Sequence, residues 1–273
     1  VLRRVSGPVT IRIWCEKTMP LEVATIPCLS DNYAFLAHDE ATGATAVIDV
    51  PEAAPILNAL AERQWRASHI LITHHHSDHI DGVEALAAAT GARVIGAKAD
   101  AHRLPPLDEA VAEGDVVRIG MDEGQVIDVP GHTVGHIAFY FPASGVVFTA
   151  DSLMAAGCGR LFEGAPALMW ASLSKLAALP PDTLVCSGHE YTTSNLRFAM
   201  SVDAGNAALQ ARVRATEAAR AAGVATVPSL LSLELATNPF LRATAPEMKA
   251  ALGMPGAPDA AVFTELRARK DRF

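Results

Sequence analysis

Residues 74–79, HHHSDH, place four histidines and one aspartate in six positions, directly after the apolar run HILIT. His74 and His76 are two residues apart, so in an extended loop their side chains can point the same way. Asp78 and His79 follow as the chain turns into the next helix and faces another direction. A single histidine in such a loop would read as an incidental polar residue. The register H-x-H-x-D-H instead reads as a metal site, with groups enough for two neighbouring ions.

The pattern continues at longer range. His132 stands just after the apolar run GQVIDV, Asp151 just after GVVF and His189 after TLV. Each follows a β-rich segment, where loops at one edge of a sheet can converge. With His74, His76, Asp78 and His79 this makes five histidines and two aspartates, and no thiolate. Seven ligands are too many for one tetrahedral zinc and suit two metals sharing a carboxylate. Imidazole and carboxylate accept zinc, iron or manganese. His75 is then a non-ligand between two ligands. His136, four residues after His132, is expected to support a ligand by a hydrogen bond. His38, His69 and His102 read as surface or turn residues. Cys158 and Cys186 lie near the motifs without a dedicated base and read as small buried hydrophobes.

The elements that must hold these residues alternate in the first 190 positions. LEVATIPCL, YAFLAHD, TAVIDV, HILIT, ARVIGA, DVVRI, GQVIDVPG, IAFYFP, GVVFTAD and TLVCSGHE read as strands. EAAPILNALAERQ, DGVEALAAATG (stopping at Gly91) and APALMWASLSKLAALPP read as helices. After about residue 190 strand signals vanish and Ala-rich helical stretches take over. A strand-rich first domain followed by a smaller helical one is expected.

The chain's 273 residues suffice for such a pair of cores, half of them are hydrophobic and 19% are charged. A net charge of -8 argues against a nucleic-acid or membrane-surface binder, since either needs a basic face. No stretch approaches the ~18 apolar residues of a membrane span or the core of a signal peptide. The four cysteines, Cys15, Cys28, Cys158 and Cys186, are scattered and form no C-x-x-C pair, so a disulfide framework is not expected. A cytoplasmic monomer or weak homo-oligomer is the expected form.

With THHHSDH at 73–79, His132, Asp151 and His189, the chain resembles the metallo-β-lactamase superfamily. That resemblance implies an α+β fold, a four-layer αββα sandwich. Narrower motifs are similar to one branch, hydroxyacylglutathione hydrolase (glyoxalase II): IPCLSDNYAFL at 26–36, AGCGRLFEG at 156–164, GHEYTTSNLRFA at 188–199, NPFLR at 238–242 and LRARKDRF at 266–273. The resemblance implies a metallo-β-lactamase domain over 19–189 and a helical glutathione-binding domain over 190–273. Residues 1–18 lie outside it and read as an N-terminal extension, with Met19 the candidate start.

Carried over position by position, the resemblance assigns one metal to His74, His76 and His132. The second goes to Asp78, His79 and His189, and Asp151 bridges. Asp78 and Asp151 are the candidate catalytic carboxylates, with proton shuttling left open for Asp78. Arg160, Phe162, Tyr191, Arg267 and Lys270 fall where the family contacts glutathione. Phe162 stands where many members have tyrosine, and Arg160 where many have lysine. The implied reaction is hydrolysis of S-lactoylglutathione to glutathione and D-lactate, a step of methylglyoxal detoxification. Its nucleophile is hydroxide held by two divalent metals, zinc first. The tail RARKDR agrees, being cationic in an acidic chain where glutathione brings two carboxylates. The alternative is a mononuclear-iron glutathione persulfide dioxygenase of the same fold. Against it stand the complete second ligand set and the long helical C-terminus. A second alternative is a lactonase or phosphodiesterase, although a nuclease would want a broader basic surface than this acidic chain offers; a binding module that lost its chemistry would be expected to lack ligands, and none is missing.

Overall fold

The computed structural model describes residues 20–273; the N-terminal extension over 1–18, and Met19, lie outside the described residues. Six strands form the first sheet in chain order: β1 (Glu22–Cys28), β2 (Asn32–Asp39), β3 (Ala44–Ile48), β4 (Arg66–Leu71), β5 (Arg93–Ala97) and β6 (Glu109–Val111). The second sheet contains β7 (Val116–Ile119), β8 (Asp122–Asp128), β9 (Ile137–Phe141) and β10 (Val146–Ala150). A two-stranded hairpin, β11 (Leu153–Met154) with β12 (Gly157–Cys158), follows. The second sheet is completed by β13 (Leu184–Ser187) and β14 (Ser229–Leu230), in the order β14-β13-β10-β9-β8-β7.

Both faces of the central strands are covered, which is why they read as continuous apolar runs. In β2, Tyr33, Phe35 and Ala37 enter the core between the sheets, while Ala34 and Leu36 face the opposite way. β9 repeats this: Ile137, Phe139 and Phe141 point between the sheets, Ala138 and Tyr140 outward. The outer face of the first sheet is covered by α1 (Ala53–Arg63) and α3 (Val83–Thr90) through Ile56, Leu60, Val83 and Leu86. Between them α2 (Ser77–Ile80) is a single turn. As the sequence suggests, α3 stops at Gly91, with φ +70 in the left-handed region that glycine tolerates.

The second sheet's outer face is covered by α4 (Pro166–Ala177) and by C-terminal helices, α5 (Thr192–Val202), α7 (Leu231–Thr237), α8 (Pro246–Ala251) and α9 (Asp259–Asp271), while α6 (Ala207–Ala221) packs through Leu209 on α5 and Ala156. Met169, Leu173, Phe198, Phe240, Phe263 and Leu266 form one apolar cluster there. The four layers are therefore helix, sheet, sheet, helix. One expectation fails: strands do not end at residue 190. Ser229 pairs with Val185, so the helical segment contributes an edge strand to the second sheet. At two residues, β14 is too short to show any periodicity.

Candidate metal centre

All the loops expected to converge do so at one end of the sandwich. Residues 72–76 leave β4, Asp151 follows β10, His189 follows β13, and the 129–136 loop carrying His132 leaves β8. The sheets are laced together there: Tyr33 N donates to Gly188 O at 2.8 Å, and Ile137 N to Thr73 O at 3.0 Å.

His74 is fully buried, and its ring lies 4.8 Å from His76 and 5.1 Å from His132, centroid to centroid. His132 donates Nδ1–H to the Arg160 carbonyl at 2.8 Å, which leaves Nε2 as a lone pair. That nitrogen lies 3.0 Å from His76 Nδ1 and 3.4 Å from Asp151 Oδ2. Beside this group His79 Nε2 and His189 Nε2 face each other at 3.4 Å. Asp78 Oδ2 is 3.5 Å from His189 Nε2 and 3.9 Å from His79 Nε2. Asp151 stands between the two groups, with Oδ1 3.5 Å from His79 and Oδ2 3.3 Å from His189.

The far nitrogens of these rings are occupied by other parts of the fold. His79 donates Nδ1–H to Asp49 Oδ2 at 2.8 Å, and His189 donates to Asp31 Oδ1 at 3.0 Å. His74 Nδ1 is 3.0 Å from Thr73 Oγ1, whose hydroxyl donates to Asp49. Such partners fix the tautomer and aim the remaining nitrogen inward. Asp49, Asp31 and Asn32, which donates to Asp78 Oδ2 at 3.0 Å, escaped the sequence reading. Asp49 ends the run TAVI as Asp151 ends GVVFTA, and that shared position was the available signal.

The electrostatics suit ligands. Burial holds His74 well below the ordinary histidine value, and nearby histidines push the same way. Burial also lowers His76 and His132, so all three carry free lone pairs at neutral pH. His79 is the opposite: burial pulls it down, but Asp151 and Asp49 outweigh this and hold it well above the ordinary value. Burial pushes Asp151 up, yet His79 and His189 keep it well below the carboxylate range. The site thus demands positive charge between two acidic groups. Among the described residues, His74 Nε2 and Asp151 Oδ1 are buried without a hydrogen-bond partner. Ligand atoms of His74, His76 and His132, and of Asp78, His79 and His189, lie within 4.8 Å of one another in each set. Such a donor set fits a divalent cation.

His75 points away from this cluster, to Asp100 Oδ2 at 3.0 Å. His136 corrects an expectation. It stacks on His74 at 4.6 Å and 10° and offers no hydrogen bond to a ligand; its Nδ1 bonds the Ile137 carbonyl. Burial drives its pKa down to about 3. His38 is likewise no surface residue: it is buried on β2 and stacked on Trp65 at 4.1 Å.

A cavity of about 620 Å³ opens over the cluster, lined also by Arg160, Phe162, Tyr191, Arg267 and Lys270. Tyr191 stacks on His189 at 4.6 Å, and Phe162 lies steeply inclined to the His76 and His132 rings at 5.5 and 5.3 Å. Arg160 is exposed, whereas Arg267 is buried and donates to the Cys158 carbonyl at 3.1 Å. Lys270 lies half-buried over Phe198 and Phe273.

Comparison with known proteins agrees with this geometry. Residues 40–189 match the model of the metallo-beta-lactamase superfamily, and residues 190–273 match that of the hydroxyacylglutathione hydrolase C-terminus. The hydroxyacylglutathione hydrolase of Cereibacter sphaeroides is 66% identical over 255 residues, 93% of this chain and 100% of that protein. The chain belongs to the hydroxyacylglutathione hydrolase family. Among solved structures, the BLEG-1 B3 metallo-beta-lactamase shares the fold at TM-score 0.63 and 22% identity, over 81% of this chain and 99% of its own. TTHA1623, solved in a di-iron-bound form, matches at TM-score 0.58 and 27% identity, over 80% and 98%. Family membership and the His/Asp cluster make the hydroxyacylglutathione hydrolase site a divalent-metal site.

Proposed function

We propose that the chain hydrolyses S-(2-hydroxyacyl)glutathione thioesters, S-lactoylglutathione foremost, to glutathione and a 2-hydroxy acid, D-lactate. The observation that carries this is a cavity lined both by the His/Asp cluster and by three cations, Arg160, Arg267 and Lys270. Such a cavity matches a substrate with a reactive acyl end and a dicarboxylate peptide end.

Two divalent ions are proposed. His74, His76 and His132 would hold one, Asp78, His79 and His189 the other, with Asp151 shared. Zinc is the first candidate, and iron or manganese are compatible with the same donors. Bound there, such ions lower the pKa of a water from about 15.7 toward 7 and polarise a carbonyl. The chain's own residues do the rest. Lys270, Arg160 and Arg267 attract the glutathione carboxylates, Phe162 and Tyr191 wall the acyl end, and Asp49, Asp31 and the Arg160 carbonyl hold the imidazoles in place. A thiol with a pKa near 8.5 leaves as thiolate, so no side chain is needed as a strong acid. The division of labour follows the chain: residues to 189 carry the cluster, and 190–273 bring Lys270 and Arg267. The reading places the reaction in methylglyoxal detoxification, in a cytoplasmic monomer or weak homo-oligomer. Among the described residues Cys28, Cys158 and Cys186 are buried and form no disulfide with one another. Among the described residues no helix is long and apolar enough to cross a membrane.

The deciding experiment measures S-lactoylglutathione hydrolysis and counts metal on the same sample. Turnover with about two metals per chain supports the proposal. Two metals without turnover would move the substrate elsewhere, and one iron with oxygen uptake on glutathione persulfide would replace the hydrolase by the dioxygenase.

A further inference from the structure

The β11–β12 hairpin stands between two parts of the metal centre. Asp151 precedes it. Beyond it come Gly159 and Arg160, whose carbonyl receives the His132 Nδ1–H. The hairpin is wholly buried, and its turn is tight, with Ala156 at φ +56. Buried backbone of this kind needs a partner for every polar group. Met154 O and Gly157 O accept from Asn238 Nδ2 at 3.2 and 2.8 Å. Ala155 O accepts from Asn195 Nδ2 at 3.0 Å, Ala156 N donates to Glu234 Oε2 at 2.8 Å, and Cys158 O accepts from Arg267 at 3.1 Å. Five consecutive residues are bonded, and among the described residues every side chain that bonds these five atoms lies beyond residue 190.

These four side chains are themselves fixed. All are buried. Asn238 accepts from Phe240 N at 3.1 Å, which orients its amide. Glu234 also accepts from Ser229 and from the buried Arg212, so its charge is paired. The chain just past the hairpin runs close against the ligands. A Cβ at Gly159 would meet Asp151 O at 1.9 Å and His132 Nδ1 at 2.9 Å, and one at Gly157 would meet Asn195 Nδ2 at 2.5 Å. Asp151 enters the hairpin through Ser152, whose carbonyl accepts from Gly159 N at 3.2 Å, and Arg160, which leaves it, holds His132 by its carbonyl, so a shift of the hairpin shifts the supports of both ligands.

We infer that Asn238, Glu234 and Asn195 are positioning residues of the metal centre: the C-terminal helical segment sets the placement of Asp151 and His132 through the β11–β12 hairpin. This rests on the proposed metal-binding role of those two residues. It gives the helical segment a second task, separate from meeting the substrate.

The test is zinc affinity of the full-length metal-free chain, read by competition with a chromophoric chelator and needing no substrate. Asn238→Ala should weaken zinc binding by about 10- to 100-fold, as is usual for groups that orient ligands. Asn238→Asp keeps the volume but supplies no N–H, and should weaken it alike. Met248→Ala, on α8 in the same apolar cluster and not hydrogen-bonded to the hairpin, should lower the melting temperature while leaving zinc affinity intact. If Asn238→Ala does not fold, Asn195→Ala should show the same direction with a smaller effect. Wild-type affinity in the asparagine variants would overturn the inference, as would an equal zinc loss in Met248→Ala. A wild-type chain that takes up no zinc would instead overturn the metal reading, and the inference with it.

Discussion

Asp49 accepts the His79 Nδ1–H at 2.8 Å, and both side chains are buried. The same carboxylate takes the Thr73 backbone N–H and hydroxyl, each at 2.8 Å. One residue at the end of β3 thus aims His79 and anchors the strand exit that leads to His74. Asp49→Ala should weaken metal binding by about 10- to 100-fold. It should also lower the melting temperature, because each buried donor left alone costs about 1–3 kcal/mol. Metal titration and thermal unfolding of the variant check both. Unchanged metal affinity would mean that His79 needs no orienting partner.

Lys270 offers a pH signature for substrate capture. Burial, and then the Arg267 charge, lower its pKa from the ordinary lysine value. The charged form prevails below that lowered pKa and is lost as pH rises through it. If Lys270 holds a glutathione carboxylate, kcat/KM should decline on the alkaline side before ~10.4, the ordinary lysine value. Lys270→Arg, which stays charged, should shift the decline upward, and Lys270→Ala should raise KM more than it lowers kcat. Rates corrected for spontaneous thioester hydrolysis decide this. Identical alkaline limbs in wild type and Lys270→Arg would remove Lys270 from the binding site.

Glu163 latches the loop that carries Phe162. It pairs with Arg103 and accepts the Val134 N–H at 2.8 Å, so the 160–164 loop is tied to the one bearing His132. Its bond to Arg103 holds the carboxyl down at about 2. A carboxylate with a depressed pKa contributes stability above its unfolded value, ~4.3, and loses it as pH falls toward the folded value. The melting-temperature gap between wild type and Glu163→Gln should be constant near neutrality and shrink from about pH 4.3 downward. Measuring both chains metal-free keeps proton-driven metal release out of the comparison. A gap independent of pH would show that the latch does not depend on charge.

How much of this was legible in the sequence follows from the range of each interaction. The positions of His74, His76, His132, Asp151 and His189 could be read because each follows an apolar strand run, a local pattern. Asp49 and Asp31 were missed because their partners are 30 and 158 residues away, and no local spacing marks such a pair. His38 was misplaced for the same reason: its polar neighbour Thr45 and its stacking partner Trp65 are assembled only in the fold. β14 was invisible because two residues carry no period. The asparagines that grip the hairpin, Asn195 in GHEYTTSNLRFA and Asn238 in NPFLR, lay in segments marked only by resemblance, and their partners 40 to 84 residues away gave them no role.

Arg267 and Lys270 read alike in the sequence, as two cations of one basic tail, and the structure separates them. Lys270 reaches the Ser194 carbonyl at 3.3 Å from a half-buried position, so its loss leaves little unpaired. Arg267 is buried, bonds Cys158 O, pairs with Asp271 at 2.8 Å and lies over Phe240 at 5.2 Å. Removing it orphans the Cys158 carbonyl and takes away packing as well as charge. Arg267→Ala should therefore lower kcat as well as raise KM, and should cost about 1.5–3 kcal/mol of stability, the range for a hydrogen bond to a charged group. Lys270→Ala should unfold close to wild type. Denaturant unfolding beside steady-state kinetics for the two variants checks the split. If Arg267→Ala changes KM alone at wild-type stability, Arg267 serves the substrate and not the hairpin.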